Sequence, residues 1–310
     1  MRTLERVAVM GATGPTGAAI TRALLERGVH VRVMSRSESH LANAFGDTNA
    51  ERVVADAADA EACARAIDGC DTVFNCIGAP MSNFKLHLTT TQNIVDAASH
   101  CNAAVALITG YWFQAPNDEP ISKSTPEKLT NPKSTIRFEQ ESMVRDAGGL
   151  SIVLPDFYGP GCAKSFLNDA VRSILKGDKV LWPGNPESLR DFVYVPDVGE
   201  PALRLAEREE AFGQRWVIAG SGALTPASLC REAARMADAT LRLKMISSFV
   251  MKLASFVRVD VHQFMDVAPI YREPATFDDS DTRALIGDWP VTSYDEGLAR
   301  TIEWIRSEES

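Results

Sequence analysis

Residues 7–20, Val-Ala-Val-Met-Gly-Ala-Thr-Gly-Pro-Thr-Gly-Ala-Ala-Ile, constrain the fold of this chain more than any other segment. The apolar run reads as a buried strand, the glycines at 11, 14 and 17 as a tight turn, and the alanine-rich stretch 17–27 as a helix. In such a turn Gly11 permits the sharp reversal, Gly14 lets backbone approach a pyrophosphate, and Gly17 lets the helix pack closely on the strand. Thr13, Pro15 and Thr16 fill the positions between the glycines and stand where the phosphates would lie. Free amides at the helix start, together with the positive end of its dipole, hold such phosphates. Glycine spacing alone arises by chance. The placement between an apolar strand and a helix is the context that dinucleotide binding demands; the competing reading is a turn that is structural only.

The next strand, 29–34, runs into Ser35-Arg36-Ser37. An acidic side chain at this point would accept hydrogen bonds from a ribose 2′-hydroxyl, as NAD requires. None is present; the first acid is Glu38. Arg36 offers a planar cation and Ser35 and Ser37 offer hydroxyls, a set suited to a 2′-phosphate, so NADP(H) is favoured over NAD(H). Alternatively Arg36 is a solvated surface arginine. Asp56, after strand 52–55, is placed to touch the adenine edge. Strand 72–77 leaves through Cys76-Ile77-Gly78, small residues that would lie along the cofactor's ribose and nicotinamide. Cys76 reads as a buried filler more readily than as a nucleophile.

Strand and helix patterns alternate from residue 5 to about 155, which predicts an α/β fold with a Rossmann-type, doubly wound parallel sheet. Helices are expected over 17–27, 57–67, 88–100 and 137–147, and later over 166–176, 198–208 and 225–238. Residues 1–156 with about 191–220 are expected to form the dinucleotide-binding lobe. Residues 157–190 with about 221–310 would form a smaller, mostly helical substrate lobe. The Pro-, Asn- and Ser-rich stretch 111–131 reads as an excursion over the site. Phe249, Met251, Phe256, Phe264 and Met265 in the tail suggest apolar walls or ordinary helix packing, as do Phe166, Trp182 and Trp289.

A net charge of −9 disfavours nucleic acid and anionic membranes as partners. No apolar run approaches the roughly 20 residues that span a bilayer. Residues 1–6 lack a signal-peptide core, and the six cysteines form no C-x-x-C pair and no metal-ligand cluster with the five histidines. A cytoplasmic protein with reduced thiols, no metal and a small-molecule substrate is expected.

The segments Leu-Pro-Asp-Phe-Tyr-Gly-Pro-Gly at 154–161 and Arg-Asp-Phe-Val-Tyr-Val-Pro-Asp-Val at 190–198 complete a pattern with the glycine turn and Asp56. The chain resembles extended short-chain dehydrogenase/reductases of the NAD-dependent epimerase/dehydratase group along nearly its whole length. The resemblance implies that Pro155 and Phe157 flank the nicotinamide, that Arg190 points toward substrate, and that Thr109 hydrogen-bonds a substrate oxygen. It also implies a homodimer through helices 88–100 and 137–147. Asp197 reads as the N-cap of helix 198–208.

The family's reaction uses Tyr-x-x-x-Lys, whose lysine lowers the tyrosine pKa so that the phenol exchanges a proton as hydride moves. None of the five tyrosines here has lysine four residues later. Matching Glu141 to the family's glutamate places Arg137 at the lysine position and Lys133 at the tyrosine position. Arg137 can hydrogen-bond a nicotinamide ribose but cannot titrate near neutrality. The proton donor is then Lys133, unless it is a solvated loop lysine, or one of the nearby phenols, Tyr111 or Tyr158, the latter also a candidate for simple packing. The reading is an NADP(H)-dependent oxidoreductase of a small organic carbonyl or alcohol. Its alternatives are a dinucleotide-binding regulator without turnover and a redox-neutral epimerase or dehydratase.

Overall fold

Alternating apolar strands and amphipathic helices build the main sheet. Its strands are β1 (Arg6–Met10), β2 (His30–Ser35), β3 (Glu51–Val54), β4 (Thr72–Asn75), β5 (Ala104–Gly110), β6 (Leu150–Leu154) and, after a detour through the second lobe, β10 (Arg215–Val217). In the computed structural model, which describes residues 1–310 apart from 116–117, 164, 247–263 and 309–310, they pair in the order β10-β6-β5-β4-β1-β2-β3. Every pairing in this seven-stranded sheet is parallel.

A strand presents successive side chains to opposite faces, and the core divides accordingly. Val7 and Val9 pack with Ile20 and Leu24 of α1 (Pro15–Glu26), with Leu41 and Phe45 of α2 (Glu38–Phe45), and with Leu203 of α7 (Gly199–Ala206). Ala8 and Met10 point to the other face. They pack there with Ala66 and Ile67 of α3 (Ala60–Ile67), with Ile94 and Ala98 of α4 (Leu86–Cys101), and with Val144 of α5 (Pro132–Asp146). Both faces being covered is what lets these strands be apolar throughout.

The second lobe has its own core. Leu167, Val171 and Ile174 of α6 (Phe166–Leu175) and Leu298, Ile302 and Ile305 of the helix Tyr294–Glu308 each form an apolar stripe. These stripes close over α8 (Pro226–Met236) and Trp182. Two short parallel pairs accompany the lobe, β7 (Asp156–Tyr158) with β9 (Phe192–Tyr194) and β8 (Val180–Trp182) with β11 (Leu243–Met245). The division expected at 221–310 is not clean, because the helix Ser280–Ile286 returns to pack on α7 and β10, carrying Ile286 and Trp289 into the sheet's core.

Several local expectations are corrected. The helix α2 was not anticipated; Ser37 caps it by accepting from the His40 amide at 3.3 Å. The helix expected from 57 starts at Ala60, because Asp59 accepts from the Glu61 and Ala62 amides at 2.9 and 3.0 Å. The helix expected from 137 starts at Pro132, set by a capping box between Asn131 and Ser134. Asp197 is no helix cap: its carboxylate accepts from the Thr292 amide and hydroxyl at 2.7 and 2.8 Å, binding the end of β9 to the approach of the last helix.

Candidate active site

The strand order reverses between β1 and β4, and in such sheets the crevice beyond the carboxyl ends of those strands receives the ligand. A cleft of about 660 Å³ lies there, running from the glycine turn to the second lobe at Phe166 and Tyr271.

At one end, Gly11 takes a left-handed φ of +78°, and the Gly11 and Ala12 amides donate to the Met34 carbonyl at 3.2 Å. Gly14 forms the N-cap of α1 with no side-chain cap, so the amides of the first turn are left without a side-chain acceptor. A Cβ at Gly17 would come within 2.4 Å of the Gly11 carbonyl oxygen, so Gly17 is the packing glycine and does not line the cleft. Gly14 does line it, and a Cβ there would sit 3.3 Å from the same oxygen. The turn is thus a cradle that side chains would fill, and its donors suit the phosphates of a dinucleotide. Gly14→Val is expected to weaken dinucleotide binding at least about tenfold with the fold retained. A calorimetric titration checks this, and unchanged affinity would make the turn purely structural.

Thr13, Pro15, Thr16, Ser35, Arg36 and Asp56 line the same end. The Ser35 hydroxyl accepts from Thr13 at 3.3 Å and from the Ser37 amide at 3.4 Å, while the Ser37 hydroxyl is spent on capping α2. Arg36 is exposed and has no ion-pair partner among the described residues. Asp56 lines the cleft and turns one oxygen back to the Ala58 amide at 3.0 Å. Cys76, Ile77 and Gly78 form the turn after β4; burial pushes the Cys76 thiol up to about 12, so it is a filler and not a nucleophile.

In the middle of the cleft, Arg137 of α5 meets His87 of α4. The Arg137 Nη1 lies 3.1 and 3.3 Å from the two ring nitrogens of His87 and donates to Gln140 Oε1 at 2.6 Å. Burial, with Arg137 beside it, pushes His87 down to about 2, so the ring is neutral at ordinary pH. His87 Nε2 also accepts from the Ala79 amide at 3.4 Å, joining the β4 turn to Arg137. Behind them the Gln140 amide donates to Thr91, which also accepts from Asn75. A buried ion pair with β10 also fixes α5. Glu141 is fully buried and receives both Arg215 Nε and Nη2 at 3.0 Å, and Arg145 pairs with it at 2.9 Å.

Toward the second lobe, Thr109, Tyr111, Pro155, Asp156 and Phe157 line the cleft. The Asp156 carboxylate collects three donors: the Tyr111 hydroxyl at 3.1 Å, the Tyr271 hydroxyl at 3.1 Å and Arg190 Nη1 at 3.1 Å. Arg190 also donates to the Tyr111 oxygen at 2.5 Å. Burial raises the Tyr111 pKa, against the pull of the Arg190 cation.

Other expected residues are not in the cleft. Arg190 lies beneath it, 1% exposed, with its remaining donors on the Ile270 and Glu273 carbonyls, so it holds Tyr111 and Asp156 instead of pointing at substrate. Lys133 is buried, with its ammonium 2.5 Å from Asp266, and does not line the cleft. Tyr158 faces the second lobe's core between Tyr194 and Tyr294, its hydroxyl without a partner. Trp182 and Trp289 pack in the two cores. Of the tail residues, Phe264 lines the cleft, whereas Phe249, Met251 and Phe256 lie outside the described residues. Sequence reasoning missed His87, Asp156 and Tyr271. No spacing rule singles them out, although Asp156 lies inside the 154–161 motif.

A match to the NAD dependent epimerase/dehydratase family spans residues 7–219. The chain belongs to this family. The family member described here is 26% identical to Cinnamoyl-CoA reductase 1 of Oryza sativa subsp. japonica over 240 residues, 68% of this chain and 70% of the rice protein. Its fold matches the dTDP-glucose 4,6-dehydratase of Bacillus anthracis str. Ames, solved with NAD, at a TM-score of 0.82 and 12% identity over 98% and 97% of the two chains. It also matches the UDP-glucuronic acid 4-epimerase of Bacillus cereus, solved with UDP-glucuronic acid and NAD, at a TM-score of 0.82 and 14% identity over 98% and 99%. Among the described residues no helix is long and apolar enough to cross a membrane, and no cluster of side chains could hold a metal ion.

Proposed function

We propose that this epimerase/dehydratase-family protein is an NADP(H)-dependent oxidoreductase of a small organic carbonyl or alcohol. The observation that carries the reading is the single cleft that joins the glycine turn and Arg36 to the buried phenol of Tyr111. Similarity to a rice reductase supports the redox direction. A nicotinamide dinucleotide, when bound, supplies or accepts a hydride. The chain's residues do the rest. The first turn of α1 holds the pyrophosphate, Arg36 and Ser35 hold the 2′-phosphate, and Arg137, fixed by His87 and Gln140, orients the nicotinamide ribose. Thr109 holds the carbonyl oxygen and Tyr111 gives it a proton. The phenolate left behind faces the Arg190 guanidinium, and water entering the cleft returns the proton.

Cofactor choice is the direct test. Wild type should bind NADPH more tightly than NADH, and Arg36→Ala should erase most of that difference. Loss of a charge-assisted contact costs about 1.5–3 kcal/mol, or roughly ten- to a hundredfold in affinity. Equal affinities in wild type, or an unchanged ratio in the variant, would overturn the 2′-phosphate assignment and turn the reading to NAD.

The absence of Tyr-x-x-x-Lys and the engagement of Lys133 by Asp266 favour, as a second reading, a dinucleotide-binding regulator. Tight NADPH binding with no NADPH oxidation across a broad carbonyl panel would select it. Cofactor that stays bound and cycles without net oxidation would select a redox-neutral epimerase. Six unpaired cysteines, five of them buried, fit a reducing cytoplasm. The outer faces of α4 and α5 are where a homodimer would form, and light scattering after size exclusion reads it.

A further inference from the structure

The end of the cleft around Tyr111 is built from rings. Trp112, half-buried, stacks on Phe84 with centroids 5.9 Å apart and an interplanar angle of 19°, and both line the cleft. From the second lobe, Phe166 meets Phe264 at 5.4 Å and Tyr271 at 5.0 Å, edge to face, and all three line the same cleft. Trp112, Phe166 and Phe264 all keep part of their surface open, so they offer apolar faces and edges to whatever enters.

The charged groups at this end are already engaged. Asp156 accepts from two phenols and a guanidinium, and Arg190 has all four of its contacts inside the protein. Among the described cleft-lining residues there is no lysine, and the arginines are Arg36, at the far end by Ser35, and Arg137, held by neutral His87 and Gln140. A diphosphate placed among these rings would surrender its hydration with no free cation to replace it, which is strongly unfavourable. An aromatic ring would find offset and edge-to-face partners on both lobes.

We infer that this end of the cleft takes a flat, uncharged aromatic carbonyl compound and rejects a nucleotide-diphosphate sugar. The inference rests on reading the cleft as a nicotinamide-dependent carbonyl site. Its test therefore has a binding arm that needs no turnover. With the NADP⁺-saturated protein, NMR titration, which reads millimolar affinities, should show benzamide binding about tenfold more tightly than cyclohexanecarboxamide, and UDP-glucose binding weakest. In the activity arm, kcat/KM for benzaldehyde should exceed that for cyclohexanecarbaldehyde by a similar factor. Trp112→Leu and Phe166→Leu should each bring both ratios below about threefold; the first lies in a loop, so its folding does not depend on the second-lobe core. Equal binding of the two amides, tighter binding of UDP-glucose, no binding of any probe, or ratios unmoved in both variants would overturn the aromatic site. Benzamide preference without oxidation of NADPH by either aldehyde would leave the aromatic site standing and remove the reductase reading.

Discussion

Turnover is expected to fall about 10²–10⁴-fold when Tyr111 is replaced by phenylalanine, the range for loss of a positioned proton donor. Of the three residues that the sequence offers for this role, Tyr111 is the one that lines the cleft. Lys133→Met and Tyr158→Phe should leave turnover within a few-fold of wild type. The Lys133 ammonium is held by Asp266, and the Tyr158 hydroxyl lies in the second lobe's core. The phenylalanine variant should still fold, because Asp156 keeps Tyr271 and Arg190 as donors. The pH profile separates the candidates further. Reduction needs the phenol protonated, and burial raises the Tyr111 pKa above its ordinary value of 10. The reductive rate should therefore show no falling limb below about pH 10. A limb near 7–8 would indicate a depressed lysine, and full activity of Tyr111→Phe would end the assignment.

Glu141→Ala should destabilise the protein by about 3–5 kcal/mol, because removing one partner of a buried ion pair leaves the other charge uncompensated. Glu141 is 0% exposed and Arg215 5%, with two 3.0 Å contacts between them. Glu127 at 2.9 Å and the Thr125 carbonyl at 3.3 Å would remain on Arg215, which places the loss toward the lower end of that range. Urea unfolding reads it as a shifted midpoint with an unchanged slope. A loss below about 1 kcal/mol would show that the pair is not what fastens α5 to β10. Glutamine keeps one acceptor and should cost less. Because Arg137 lies one helical turn before Glu141 on the same helix, a loosened α5 should also weaken cofactor binding.

The glycine turn, the strand rhythm and the small residues after β4 were legible because each is written in a short stretch of chain. Gly11 needs its positive φ for a local reversal, and Gly17 meets the Gly11 carbonyl six residues away. The alternation of Val7 and Val9 with Ala8 and Met10 distributes the strand between two cores by a period of two. Helix starts were misplaced where a capping side chain, such as Asp59 or Asn131, outranked apolar periodicity.

The end of the cleft toward the second lobe was not legible, since each decisive contact joins residues remote in sequence. Lys133 is engaged by a carboxylate 133 residues later, and Arg190 reaches a phenol 79 residues earlier. His87 and Arg137 lie 50 residues apart, and the Tyr271 hydroxyl reaches a carboxylate 115 residues back. The sequence by itself determined a parallel α/β sheet, a glycine turn between its first strand and helix, and the absence of Tyr-x-x-x-Lys. Which of several candidate side chains face the cleft was decided only in the tertiary structure. A single chain announces its local backbone geometry, whereas desolvation and ion pairing depend on which distant charges folding brings within about 4 Å.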